Sequence, residues 1–345
     1  MKSKLKKILC NGAFLLLCIG VSVYFVLSGE DFGAVVNYIR SSSQVFWIVG
    51  FALVIAFILC ESVIIFYLLR VFGDAPRLSH CFLYSFVGFF FSLVTPTASG
   101  GQPMQLVFMK RDGLSLTRCV IALLIVTIAY KSVLVLVGIL VLFACPPHIA
   151  PLLEPAMGWI YLGIVLNVIC VGAMLALVLA PSVAKTIVFT AVRIARKFVA
   201  AERVDRWQAH LTQSLENYKE ASRFVREHRI VTLNVMLITI VQRFLLFAVT
   251  YVVLLSFDVS NLSLLDATLL QGSISLSADM LPLPGGLGIS EHLYNVLFQP
   301  ICGQLTAPTL VISRGLSFYA QLLVCAVFSA VAYLVVFGAK KGNEK

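Results

Sequence analysis

Long unbroken apolar runs are separated along the chain by short polar segments, and within the runs the apolar residues are continuous rather than alternating with polar ones. A helix crosses a bilayer with about 20 apolar residues. Continuous runs argue for helices over barrel strands, whose two faces would alternate. The pattern predicts six full spans: Ile8–Ser28, Gln44–Leu69, Thr117–Cys145, Met157–Ala180, Ile230–Phe257 and Leu310–Phe337. Two further apolar regions are interrupted. Cys81–Met109 is broken by Thr95-Pro96-Thr97-Ala98-Ser99-Gly100-Gly101-Gln102-Pro103, and Leu262–Phe298 by Leu281-Pro282-Leu283-Pro284-Gly285-Gly286-Leu287-Gly288. Proline removes a helix donor and clashes with the preceding turn, and paired glycines weaken the helix further.

Basic residues decide how the broken regions run, because Lys and Arg collect in cytoplasmic loops. With Lys2, Lys4, Lys6 and Lys7 inside, Glu30 and Asp31 fall outside, and Arg70 and Arg77 inside. A full crossing by the first broken region would strand Lys110, Arg111, Arg118 and the ten basic residues between Lys185 and Arg229 outside. A region that dips in and returns keeps them all inside. Lys340 and Lys341 apply the same test to the second region, and Arg40 is then the one misplaced loop cation. The expected fold is an all-α polytopic membrane protein: a single helical bundle of about six full spans with two re-entrant hairpins, at 80–110 and 262–300. The hairpins enter from opposite sides, as in an inverted repeat, and both termini are cytoplasmic.

Composition supports this and removes one class of partner. Only 12% of residues are charged and 60% are apolar, whereas a soluble domain carries about a quarter charged residues to solvate its surface. The net charge of +10 would raise nucleic acid as a partner in a soluble protein. Here topology accounts for it, and no nucleic-acid partner is expected. The nine cysteines lie mostly inside apolar runs with no C-x-x-C pair, as small core residues do. In the 181–229 loop, Trp207, Leu211, Leu215 and Tyr218 share one helical face among ten basic and five acidic residues. That is the pattern of an amphipathic linker lying on an anionic leaflet.

A charge at the centre of a spanning helix costs at least ~2.5–3.5 kcal/mol, so each deep charge needs a reason. There are six: Glu61, Lys131, Arg243, Asp279, Glu291 and Arg314. They either line a polar path or pair to hold helices together. The glycine motifs carry a similar choice. Small residues let helices pack closely, but unwound Gly-Gly backbone at mid-membrane also exposes N–H groups to an anion such as a lipid phosphate. Pro103 suits the first position of the half-helix that follows. The five histidines show no metal-ligand spacing, and neither a G-x-S-x-G elbow nor a P-loop is present. No cofactor and no metal are expected.

Gly100-Gly101-Gln102-Pro103, with Lys110-Arg111-Asp112-Gly113 downstream, resembles the first signature of the flippase-like, or lysylphosphatidylglycerol synthase transmembrane region, family. Pro284-Gly285-Gly286-Leu287-Gly288-Ile289-Ser290-Glu291 resembles the second, and Arg314, Gly315 and Tyr319 resemble the last-helix pattern. The resemblance covers nearly the whole chain, with Gln102 standing where many members carry an acid. It implies a membrane domain that translocates lipids. In the multiple peptide resistance factor that domain flips aminoacylated phosphatidylglycerol made by a fused soluble synthase. The expectation is that this chain lacks the synthase and does not perform the transfer alone. The expected cargo is an anionic or aminoacylated membrane phospholipid in the cytoplasmic membrane, and a separate synthase and a second copy of the chain are candidate partners. Gly100, Gly101, Gly285, Gly286 and Gly288 are the expected backbone donors to a phosphate, with Gln102, Pro103 and Pro284 beside them. Lys131, Arg243 and Arg314 are the expected cations of the headgroup path, and Glu61, Asp279 and Glu291 their carboxylates. A small-solute transporter, a lipid-linked-sugar translocase and a headgroup transferase are the alternatives.

Overall fold

The computed structural model of the chain describes residues 32–179, 223, 224 and 227–338, and among these every regular element is helical. Helix α1 (Phe32–Ser41) leads into α2 (Gln44–Val71). The first interrupted region is α3 (Leu78–Val94), a 3-10 turn at Pro96–Ala98 and α4 (Gly101–Arg111). Then come α5 (Leu116–Phe143), α6 (Met157–Leu179) and α7 (Arg229–Ser256). The second interrupted region is α8 (Leu264–Ala278), a 3-10 turn at Pro284–Gly286 and α9 (Ile289–Cys302). Helix α10 (Thr306–Arg314) widens through a π-helical stretch, Gly315–Ala320, into α11 (Gln321–Tyr333).

Five helical stretches of the described chain are long and apolar enough to cross a membrane, and five of the predicted spans fall within or on them. The predicted span Ile8–Ser28, most of the 181–229 loop and the lysines at 340 and 341 lie outside the described residues. Helix α7 shows which solvent surrounds the bundle. Ile230, Leu233, Leu237 and Val241 form its exposed stripe, while Thr239 and Gln242 lie on its buried side. A helix with apolar residues outward and polar ones inward has hydrocarbon as its solvent.

Helix α7 runs antiparallel to α2, and four contacts fix the register. The Ser43 amide donates to Ser256 O (3.0 Å), Gly50 faces Val249, Gln242 Nε2 donates to Phe57 O (3.1 Å), and Asn234 Nδ2 donates to the Tyr67 hydroxyl (3.1 Å). Helix α8 lies against α6 so closely that a Cβ at Gly163 would sit 2.6 Å from Leu276 O.

The arms of the first interrupted region pack on each other. Asp112, just past α4, accepts hydrogen bonds from Tyr84 and His80 near the start of α3, so the chain leaves this region beside where it entered. Leu93 before the first break packs with Leu287 of the second and with Phe318. The two breaks therefore meet.

Candidate functional site

The two breaks form for different local reasons. In the first, Thr95 adopts an extended conformation, and its hydroxyl accepts from the Gly100 amide (2.9 Å) while donating to Phe91 O (2.6 Å). A Cβ at Gly101 would lie 2.1 Å from Ser92 Oγ and 2.6 Å from Gly88 O. These two glycines let α4 approach α3. Pro103 is the third residue of α4, where the missing N–H is one the helix could not have used.

The second break is a true unwinding. Gly285, Gly286 and Gly288 have φ of 57°, 66° and 88°, which L side chains rarely adopt. A Cβ at Gly285 would fall 2.1 Å from the Phe318 ring. Pro284 opens the 3-10 turn and is buried. The Gly286 amide donates to Leu283 O (3.2 Å) and the Gly288 amide to Glu291 Oε2 (2.6 Å). The other oxygen of Glu291 accepts from Arg314 Nε (2.6 Å), and Arg314 Nη2 donates to Gly285 O (3.1 Å). One carboxylate thus caps α9 and anchors a guanidinium that in turn holds the break.

Beside the breaks lies a cavity of about 450 Å³ between the interrupted regions and α2, α5, α7 and α10. Five of the six deep charges line it: Glu61, Lys131, Arg243, Asp279 and Arg314. The sixth, Glu291, is fully buried just behind Arg314. Lys131 donates to Asp279, which also accepts from the Tyr130 hydroxyl. Glu61 accepts from Gln105 Nε2 (2.8 Å) and has no cation within bridging distance among the described residues. Gly88 makes this contact possible, since a Cβ there would lie 2.2 Å from the Gln105 amide nitrogen.

Arg243 differs from the other two cations. Its guanidinium sits 3.8 Å from the Tyr130 ring centroid and 5.0 Å from that of Phe57, and Nε is buried with no hydrogen-bond partner. Among the described residues no carboxylate lies within bridging distance of it, although Glu61, which lines the same cavity, interacts with its charge. The aromatic faces supply a partly desolvated cation–π attraction of about 2 kcal/mol.

The sequence pattern of one protein family, the lysylphosphatidylglycerol synthase TM region, matches residues 12–325. The chain belongs to this family. It is, with its several apolar helices, a multi-pass membrane protein. Among curated proteins none matches it.

Of the residues singled out in the sequence, Gln102, Gly285 and Gly286 line the cavity with the five charges. Gly100, Gly101, Pro103, Pro284, Gly288 and Glu291 do not line it. Of the glycine amides expected to face a ligand, those of Gly100, Gly286 and Gly288 have partners within the breaks themselves. Gln102 turns its amide to Thr127 and to Leu123 O (3.4 Å). Sequence reasoning passed over Tyr130, Gln105 and Gln242. Each is a polar group beside or inside an apolar run and close in sequence to a residue already marked: Tyr130 to Lys131, Gln242 to Arg243, Gln105 to Gln102. That adjacency was the available signal.

Proposed function

We propose that the chain is a lipid translocase of the cytoplasmic membrane, in which the headgroup of an anionic or aminoacylated phospholipid crosses through the cavity while its acyl chains remain in the bilayer. The observation that carries this reading is Arg243, a cation facing a mid-bundle cavity with a stacked face and a buried Nε that has no hydrogen-bond partner. A cation held without a direct ion pair, its nearest compensation the Glu61 carboxylate of the same cavity, is costly in hydrocarbon, and such groups mark substrate paths. A lipid phosphate would complete its hydrogen bonding. Glu61, on α2 across the same cavity, offers a carboxylate to an ammonium such as that of a lysyl ester. The side-by-side ends of α3 and α4 and the contact between the two breaks support a pair of re-entrant hairpins whose tips meet near the midplane.

The test is leaflet-resolved movement of headgroup-labelled phosphatidylglycerol and its lysyl ester in proteoliposomes of the full chain. The wild type should move label without changing its mass. Arg243→Gln should slow movement about ten- to a hundredfold, the value of one charge-assisted hydrogen bond. A change in headgroup mass would favour a transferase. Equal rates in the variant and the wild type would remove Arg243 from the path.

A further inference from the structure

Lys131 and Arg243 are close neighbours with different partners. Tyr130 connects them: its ring carries the Arg243 guanidinium, and its hydroxyl donates to the same Asp279 that holds Lys131. Asp279 is the C-cap of α8, just before the second break. Its carboxylate therefore gathers an ammonium and a phenol from α5 at the junction where the helix gives way to unwound chain. Lys131 Nζ also touches Met280 Sδ at 3.1 Å, so its head lies against the residue that leads into the break. The side chains of Lys131 and Asp279 are 12% and 10% exposed, and that exposure is to the cavity that both line.

A carboxylate accepting from an ammonium and a hydroxyl presents the same face as a phosphate oxygen pair. We propose that Asp279 is an internal counterion occupying the place of a phosphate-type oxyanion, which must displace it from Lys131 and Tyr130 to bind beside Arg243. This rests on the translocation reading and deepens it. Displacement couples occupancy to shape, because releasing Asp279 removes the polar tie between the end of α8 and α5, and the second break is attached to that end. A ligand shifts a conformational equilibrium only by its differential affinity for the two arrangements. The exchange of one anion for another at Lys131 supplies such a difference. Without the competitor, the cations would bind the oxyanion more tightly and release it more slowly.

The experiment is equilibrium binding to the purified full chain in neutral-lipid nanodiscs, with short-chain phosphatidylglycerol as one probe and inorganic phosphate as the other. Asp279→Asn keeps the size of the side chain but weakens its hold on Lys131, and it should tighten binding about tenfold, the lower end for a charge-assisted hydrogen bond. Lys131→Gln should weaken binding. The double variant should match Lys131→Gln, because a competitor has no effect once the group it competes for is gone. Tightening for phosphatidylglycerol alone assigns the site to a lipid headgroup, and tightening for both probes assigns it to the oxyanion however carried; each supports the exchange. Unchanged or weaker binding of both probes to Asp279→Asn, or an Asp279→Asn effect that persists without Lys131, overturns it. Because the readout is binding, a failure of lipid movement in proteoliposomes would sink the translocation reading while leaving this result separately legible.

Discussion

Replacing Gly285 by Ala tests how the second break is built, and its cost separates into two parts. The first is backbone: Gly285 sits at φ 57°, ψ 18°, a left-handed conformation that costs an L residue about 1–2 kcal/mol. The second is steric. The new methyl would lie 2.1 Å from one carbon of the Phe318 ring and 2.6 Å from the next, and Phe318 is only 1% exposed, so the packed ring must shift to admit it. Overpacking of this kind costs about 1–3 kcal/mol. Gly285→Ala should therefore destabilise the protein by about 2–5 kcal/mol in total. A double-mutant cycle divides the sum. With Phe318→Ala as background the steric part vanishes and about 1–2 kcal/mol remains. The assay is reversible denaturation of the detergent-solubilised protein, with all four variants measured under one condition. An equal cost of Gly285→Ala in both backgrounds would show that the Phe318 ring is not what requires glycine at this position.

Two other substitutions probe neighbouring contacts. Glu291→Ala removes the acceptor of both the Gly288 amide and Arg314 Nε, leaving a largely buried guanidinium unpaired, and should cost about 3–5 kcal/mol; thermal unfolding in detergent checks it, and a loss under about 1 kcal/mol would contradict the capping and pairing roles. Gly163→Ala should separate α6 from α8 and destabilise by about 1–3 kcal/mol, whereas Gly158→Ala, with nothing within 4 Å of its added methyl, should be close to neutral in the same measurement.

The spans were legible because hydrocarbon imposes one rule on every residue it touches. A run such as Arg229–Ser256 cannot hide its apolar length, and the structure ends that helix within one residue of the predicted limits. The breaks were legible because Pro96, Gly100, Pro284 and Gly285 are weak helix formers wherever they stand. What each glycine does was not legible. Gly101 and Gly285 are the same residue type in similar motifs, yet one makes room for a neighbouring helix and the other for a left-handed turn against Phe318. That difference depends on Ser92, Gly88 and Phe318, which are distant in sequence from the motif or belong to another helix. Charge followed the same course. The cost of burial marks Lys131, Arg243 and Arg314 as special, but nothing in their spacing tells which finds a carboxylate. Tertiary contact gives Asp279 to Lys131 and Glu291 to Arg314, and gives Arg243 two aromatic faces.

Translocation through this bundle requires a polar headgroup to pass through the cavity beside the two breaks. Ser275, which lines the cavity four residues before Asp279, offers a place to obstruct it. In a chain whose native cysteines have been replaced, Ser275→Cys should still move labelled phosphatidylglycerol in proteoliposomes. Complete reaction of that cysteine with a bulky, charged, water-soluble thiol reagent should then stop the movement. Undiminished movement after complete reaction would show that the headgroup travels elsewhere.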